Sequence, residues 1–476
     1  MKKKTTKKAV RKITKKSIKK IVPKPTQKAI GGVHFWHRCI ECEATYKPDQ
    51  FLYVCPKCGG LLSVERDEKW IDKKVGTGKK AQDYFDNIRF GKAREKYPND
   101  SGVFMWLDHI LPGFPTESVI SLREGFTDLF EIPNWLKKKT GLKNLYIKME
   151  GQLPSESFKD RGMSVAISET IRLQKKYPKL GIKYVACAST GDTSAAAAIY
   201  SAYVQDKLKC IVFLPHDKIS PGQLFQAMAH GAEVMAIKHE KGFDGCMELI
   251  QEFTAKHPEI VLVNSKNALR IVGQETIALE IVQDLRWKAP DWIAVPCGNG
   301  GNLTALLTSL RRMKARGMIS KLPKIIVAQT KGANTLVRWS ESEFQKYEPG
   351  AFKDTVASAM NIQNPVSFPR IQKMFKEFRI EFFDADDNHL QDTRALFMKA
   401  GANICPQTAV ALDVVLQAHA RKIVKGTDTV VVVGTASGIK FAESGIAYHM
   451  GGIQNRFANP PKVVDGTIED IESALS

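Results

Sequence analysis

Trp292-Ile293-Ala294-Val295-Pro296-Cys297-Gly298-Asn299-Gly300-Gly301-Asn302-Leu303 carries the reading that decides the fold. Trp292 to Val295 reads as a strand and Leu303 to Met313 as a helix. The turn between them, Gly298 to Asn302, therefore places several unhindered backbone N–H groups at a helix N-terminus. Glycines allow close backbone approach and the helix dipole favours negative charge there, so the turn suits a phosphate. Its spacing matches neither the dinucleotide fingerprint nor the Walker pattern, which turns the reading away from nicotinamide cofactors and nucleoside triphosphates. A glycine-rich turn also serves as a plain connection, so the phosphate reading rests on its surroundings.

The same alternation of apolar run and helical stretch extends in both directions from about residue 144. Candidate strands are Asn144 to Lys148, Tyr184 to Cys187, Cys210 to Leu214, Glu233 to Ile237, Trp292 to Val295, Ile325 to Ala328 and Thr429 to Val433. Candidate helices between them include Ser194 to Gln205, Pro221 to His230 and Gly245 to Lys256. Val430 to Val433 is a continuous apolar run, as expected of a strand covered on both faces. The pattern predicts an α/β protein with mostly parallel sheets. In such sheets ligands bind beyond the carboxyl ends of the strands. Two more loops of small polar residues fall there, Ala188 to Ser194 and Gly434 to Gly438.

Pro154-Ser155-Glu156-Ser157-Phe158-Lys159-Asp160-Arg161-Gly162-Met163 follows a predicted strand and places a lysine among small polar residues. A lysine at a helix start is ordinarily a solvated charge. A Schiff-base lysine needs shelter that leaves its amine neutral at working pH. The combination of Lys159 with a separate phosphate cradle favours the second reading.

Ser157 to Met163, Cys187 to Ser194, the glycine loop with its two asparagines, and Gly434-Thr435-Ala436-Ser437-Gly438-Ile439-Lys440-Phe441 stand in the order seen in threonine synthases. The chain resembles that family, its plant-like branch in particular, from about residue 52 to about residue 460. Val212 to Pro215, Lys218 to Ser220, Phe243 to Met247 and Pro365 to Ser367 agree with it. The resemblance implies a two-domain, fold type II pyridoxal-phosphate enzyme of the tryptophan synthase beta-like architecture, with the cofactor between the domains. It makes Lys159 the lysine that holds the cofactor and shuttles protons at the substrate's α and β carbons. It gives the cofactor phosphate to Gly298, Asn299, Gly300, Gly301 and Asn302, the pyridine nitrogen to Thr435, and the ring's 3-oxygen to Asp192. Many relatives carry Asn at that last position; two anionic oxygens side by side call for a proton or a cation between them.

The implied substrate is O-phospho-L-homoserine, with Ser189 and Thr190 on its carboxylate and Thr193, Asn264, Ser265 and Arg270 on its phosphate. The planar fork of an arginine suits a phosphate. The implied reaction removes phosphate from the γ carbon and adds water at the β carbon, giving L-threonine. Two departures concern substrate fit: Ser155-Glu156 stands where relatives usually have Thr-Gly, and Cys297 stands where glycine is common. A homodimer is implied by the resemblance alone. A sister activity on the same scaffold is the alternative, either a cysteate synthase acting on O-phosphoserine or a hydroxy amino acid dehydratase. Arg270 with Asn264 argues for a phosphorylated substrate and against the dehydratase.

Cys39, Cys42, Cys55 and Cys58 form two C-x2-C pairs separated by a hairpin-sized spacer, a pattern suited to a tetrahedral structural zinc in a zinc ribbon. Unliganded thiols are the other reading. The remaining five of the nine cysteines are scattered, which argues against a disulfide framework.

The formal charge of +21 is uneven: residues 1–28 hold 13 Lys or Arg and no acid, leaving 58 basic and 50 acidic residues for the rest. A solvated tail is expected, with weak contact to nucleic acid or organelle targeting as the other readings. A nucleic-acid-binding protein built on tail and ribbon is disfavoured, because the rest of the chain lacks interleaved basic and aromatic residues. Hydrophobic residues at 43% and charged residues at 25% are ordinary globular usage. No apolar stretch approaches the roughly 20 residues that cross a bilayer, so no membrane association and a cytoplasmic location are expected. The expected organisation is a basic tail over 1–30, a zinc-ribbon-like module over 31–65, and a catalytic region over 66–460. Its small domain is expected within about 155–265, and a C-terminal segment over 461–476.

Overall fold

The computed structural model describes residues 32–189, 191–216, 221–240, 242–350, 353–451 and 455–475. The basic tail and Thr190 lie outside them. The cysteine-containing segment forms a three-stranded antiparallel sheet in which Phe35–Cys39 is flanked by Thr45–Tyr46 and Leu62–Arg66. Helices Glu68–Val75 and Gly78–Phe90 follow, the first capped by Asp67, whose carboxylate accepts from Trp70 N at 3.1 Å.

Two further sheets form the body. The larger runs in the order Ile380–Ala385, Lys324–Thr330, Trp292–Pro296, Thr429–Gly434, Asn144–Met149 and Leu129–Glu131, parallel except for the last strand. The smaller runs Glu233–Ile237, Lys209–Pro215, Tyr184–Ala188 and Ile260–Leu262, parallel throughout. Every strand expected from the sequence forms, with ends moved by a residue or two. Three strands of these two sheets escape the pattern reading: Leu129–Glu131, Ile260–Leu262 and Ile380–Ala385. All three are edge strands, which are short or face solvent on one side and so lack the continuous apolar run of a central strand.

The central strands show why that run is needed. Val431 and Val433 pack into one hydrophobic core with Ile293 and Val295, while Val430 and Val432 pack into a second with Trp292 and Ala294. Alternation of side chains across the sheet thus feeds two cores, and each fully buried valine contributes about 1.5–3 kcal/mol.

Two buried helices, Lys159–Lys176 and Ala268–Asp284, cross at a pair of glycines. A Cβ on Gly273 would lie 1.7 Å from the Arg161 carbonyl oxygen, and one on Gly162 would lie 2.4 Å from that of Arg270. The missing side chains let the backbones touch and bring Lys159 and Arg270 into one pocket. Gly273→Ala is expected to cost at least about 1–3 kcal/mol through overpacking, read as a lower midpoint of urea unfolding.

Candidate active site

The pocket opens at the carboxyl ends of strands from both larger sheets. Its walls include Lys159, Asp192, Ser265, Arg270, Gln274, Gly298 to Asn302, Gln407 and Thr435. Part of the wall comes from loops that the strand-and-helix alternation creates, where Asp192 opens helix Asp192–Tyr203 and the glycine turn opens helix Gly301–Ala315, and part from helices, with Arg270 and Gln274 on Ala268–Asp284 and Gln407 on Pro406–Ala420.

The glycine turn is shaped by its neighbours as well as by its own freedom. Gly300 has φ of +76°, where a Cβ would also lie 2.6 Å from Ile371 Cδ1, and a Cβ on Gly298 would lie 2.9 Å from the Ala359 carbonyl. Asn299 fastens the turn from behind, its backbone oxygen accepting from Ser367 N at 3.0 Å. Asn302 is buried and neither polar atom of its carboxamide has a partner among the described residues.

Lys159 sits at the start of its helix with its ammonium 3.8 Å from the centre of the Phe158 ring. Burial, and then the Arg270 charge, pulls its proton affinity down from 10.5 to about 7, with Asp192 opposing and Lys440 reinforcing the shift. Arg270 is buried; it donates to the Val263 carbonyl at 2.9 Å and to Thr193 Oγ1 at 3.4 Å, and its Nε has no partner among the described residues. Burial brings its guanidinium down to about 10. Thr435 is held through its own backbone: its N donates to the Thr408 hydroxyl at 2.9 Å and its carbonyl accepts from Phe158 N at 2.9 Å. Its hydroxyl lies 3.3 Å from Cys405 Sγ.

Ser189 accepts from Gly191 N at 3.2 Å, shaping the loop before Asp192. Asn264 pairs both ends of its amide with the backbone of Ala188, at 3.1 and 2.9 Å, which leaves one N–H of its NH2 group without a partner among the described residues. The structure thus brings Lys159, Asp192, Ser265, Arg270, the glycine turn and Thr435 to one pocket, with Thr193 on Arg270 and with Ser189 and Asn264 at the adjoining strand ends.

Residues that sequence reasoning missed are Gln274, Gln407 and Lys440. Gln407 lines the pocket, and among the described residues both ends of its amide and Gln274 Oε1 have no partner. Neither glutamine carries a local signal; helix geometry alone aims them inward. Lys440 stands in a segment already singled out, yet only the fold places its ammonium 2.9 Å from Asp192 Oδ1. It is the cation that an aspartate there calls for. The Ser155-Glu156 departure also acquires a structural meaning: Glu156 has φ of +61°, the left-handed region that favours glycine.

A buried polar atom without a partner costs about 1–3 kcal/mol, so the convergence of such atoms from Asn302, Gln274, Gln407 and Arg270 on one pocket marks the place of a polar ligand. A sheltered amine that can be neutral, a glycine cradle for a phosphate and the Thr435 hydroxyl in the same pocket fit pyridoxal phosphate. Fold and pocket together define the class as an α/β enzyme of fold type II, built around that cofactor.

The family model for pyridoxal-phosphate dependent enzymes matches residues 120–436. Threonine synthase 2, chloroplastic, of Arabidopsis thaliana is 38% identical over 435 residues, covering 90% of this chain and 82% of that protein. Threonine synthase of Methanocaldococcus jannaschii is 34% identical over 410 residues, covering 86% and 94%. Among solved structures, threonine synthase from Escherichia coli superposes with a TM-score of 0.64 at 21% identity over 92% of this chain and 94% of that one. Maize serine racemase gives 0.55 at 16% identity over 68% and 92%. The chain belongs to the pyridoxal-phosphate dependent enzymes, within their threonine synthase branch.

In the cysteine segment, the sulfurs of Cys39, Cys42, Cys55 and Cys58 lie within 4.8 Å of one another. Cys39 and Cys58 are 3.5 Å apart, as are Cys42 and Cys55. Four thiolates at zinc–sulfur distances of about 2.3 Å span gaps of this size. All nine cysteines are free. No helix among the described residues is long and apolar enough to cross a membrane.

Proposed function

We propose that the protein is a threonine synthase, converting O-phospho-L-homoserine and water to L-threonine and phosphate. The observation that carries this reading is the presence of two anion sites in one pocket: the glycine turn, and the buried Arg270 with an unpartnered Nε. Pyridoxal phosphate, when bound, supplies the electron sink for negative charge developed at the substrate's α and β carbons. Lys159 holds the cofactor, then takes the proton from the α carbon and moves protons at the β carbon; a proton affinity near neutrality suits both directions of transfer. Backbone N–H groups of Gly298 to Asn302, with the Asn302 side chain, hold the cofactor phosphate. Thr435 would offer its hydroxyl to the pyridine nitrogen, and Asp192 would meet the ring's 3-oxygen.

Ser189 and Thr190 bind the substrate carboxylate. Arg270, Thr193, Ser265 and the free N–H of Asn264 hold the substrate phosphate and follow it as it leaves the γ carbon. Water then adds at the β carbon. The test is release of threonine and phosphate from O-phospho-L-homoserine by the purified protein, with O-phosphoserine as the competing substrate. Turnover of O-phosphoserine alone would move the assignment to a cysteate synthase; a visible cofactor band without turnover of either would reject both substrates.

The four cysteines hold a structural zinc in this reading, since four protein ligands leave no open position for catalysis. One zinc per chain is expected by elemental analysis. Cys42→Ser is expected to release it and lower the melting temperature by several degrees while the cofactor band persists. The catalytic region carries its small domain around the Tyr184–Leu262 strands, and the free cysteines fit a reducing compartment such as the cytoplasm. A homodimer, and weak nucleic-acid contact by the 13 cations of residues 1–28, complete the proposal.

A further inference from the structure

Lys440 sits in the short turn Gly438–Phe441 with its side chain 3% exposed. Its ammonium reaches three groups from three different parts of the chain. Asp192 Oδ1 lies at 2.9 Å, at the start of the helix that follows the small sheet. The Ser155 carbonyl lies at 2.7 Å, four residues before Lys159. Gln226 Oε1 lies at 2.7 Å, on helix Pro221–Ala229. Two of the ammonium's three N–H donors go to the Ser155 carbonyl and Gln226 Oε1, and Asp192 is met as an ion pair in which Oδ1 has no hydrogen-bond partner among the described residues. Nothing in the function proposed above uses this residue.

The charges that face one another here are the cations Lys159, Arg270 and Lys440 and the carboxylates Asp192 and Asp160. Asp160 accepts from Ser155 N at 2.7 Å and feels the charges of Lys440 and Glu124 at longer range. Asp192 is therefore the carboxylate that Lys440 pairs with directly. In pyridoxal phosphate the aldehyde carbon and the phenolic oxygen are on adjacent ring atoms, so a group beside the Lys159 amine meets that oxygen. An aspartate there brings a second negative oxygen, and an unpaired carboxylate would repel it or take up a proton.

We propose that Lys440 is a positioning residue for the cofactor site: its ammonium neutralises Asp192, so that a carboxylate can stand against the phenolic oxygen, and it ties that carboxylate to the Ser155 loop and helix Pro221–Ala229. The inference rests on pyridoxal phosphate occupying this pocket. Lys440 acts through Asp192, so its effect depends on a carboxylate being present at residue 192. Removing the cation alone harms cofactor binding, and removing both charges together relieves most of the harm.

The experiment is a double-mutant cycle on the full chain with Lys440→Met, Asp192→Asn and the two combined. The readouts are the apparent Kd for pyridoxal phosphate, followed by the visible band, and the pH titration of that band. Lys440→Met is expected to raise Kd at least about tenfold, as for a buried pair that has lost one partner, and to displace the titration. The combined variant is expected to return to within about threefold of Asp192→Asn, the non-additivity of groups in direct contact. Lys440→Arg, which keeps the charge, is expected to stay close to the parent and serves if the Met variant fails to fold. Additive effects in the cycle, or a Lys440→Met variant that matches the parent in Kd and titration, would overturn the role of Lys440. Failure of the parent itself to develop a band sensitive to Lys159→Ala would overturn the cofactor reading beneath it.

Discussion

Lys159→Ala is expected to lower threonine formation by about 10⁴-fold or more and to abolish the visible band of bound cofactor, while leaving the fold intact. Proton transfer by a positioned group is worth about 10²–10⁴-fold, and this lysine also forms the covalent link. Added cofactor can still occupy the cradle of Gly298 to Asn302, so weak non-covalent binding should survive, measurable by equilibrium dialysis. Full activity in the variant would remove Lys159 from the mechanism. The same amine sets a pH dependence. In the folded protein its affinity for a proton is about 7 against 10.5 for an ordinary lysine, so the unfolded chain binds more protons between those values. Stability of the cofactor-free protein from this group therefore rises as pH rises from about 7 to 10.5, and the penalty is fully present below 7. Capture of added cofactor should accelerate through pH 7, where the free amine forms, and this rise should vanish in Lys159→Ala.

Arg161→Met is expected to destabilise the protein by about 3–5 kcal/mol, the cost of removing one partner from a buried ion pair. Arg161 is fully buried and grips two carboxylates at once. It reaches Glu150 at 2.5 and 2.8 Å and Glu280 at 2.8 and 2.9 Å, with Thr276 Oγ1 at 3.0 Å. Lys148 continues the chain to Glu280 and Asp284, both at 2.9 Å, and Asp284 pairs with Arg89 at 2.6 Å. Three cations and three anions balance there, so the loss of Arg161 strands carboxylates away from water. The effect is read by urea unfolding; a loss below about 1 kcal/mol would show that the network tolerates the gap. The network also supplies acid sensitivity. Burial works to raise the Glu280 proton affinity, but the charges of Arg161 and Lys148 outweigh it and hold the carboxyl below its ordinary 4.5. Its contribution is therefore present above pH 4.5 and lost as pH falls below that value. Arg161→Met should flatten that part of the acid-unfolding profile.

The position of Arg161, two residues from Lys159, explains why this network bears on the site. It fixes the first turn of the helix that presents the lysine and locks it to helix Ala268–Asp284, which presents Arg270. The Gly162 and Gly273 contact sets the separation of the two helices, and the ion pairs set their register. Sequence reading had no means of finding this arrangement, because Glu150, Arg161 and Glu280 are separated by up to 130 residues and each alone is an ordinary charge.

The central strands, the helices after them and the glycine turn were legible from the sequence because their signals are local. A strand covered on both faces must be apolar at every position, as Val430 to Val433 is, and a close backbone turn selects glycine. Order along the chain was enough to recognise the family, and four paired cysteines were enough to suggest a metal site. Three of the four edge strands of the two larger sheets escaped, Leu129–Glu131 and Ile260–Leu262 because they are three residues long and Ile380–Ala385 because its pattern mixes half-buried and buried positions, while Glu233–Ile237 was read. Gln274, Gln407 and Lys440 escaped because their importance lies in where their side chains end, which depends on helix crossings and loop packing. Local sequence was enough for the central strands and the helices after them, for the cofactor class that the loops suit and for Lys159 as the candidate lysine. Only the tertiary structure decided that Asp192 has a cation beside it, that Arg270 is buried with a donor to spare, and that Arg161 anchors the reactive helix: charge compensation and desolvation are properties of groups brought together from distant positions, and no local spacing records them.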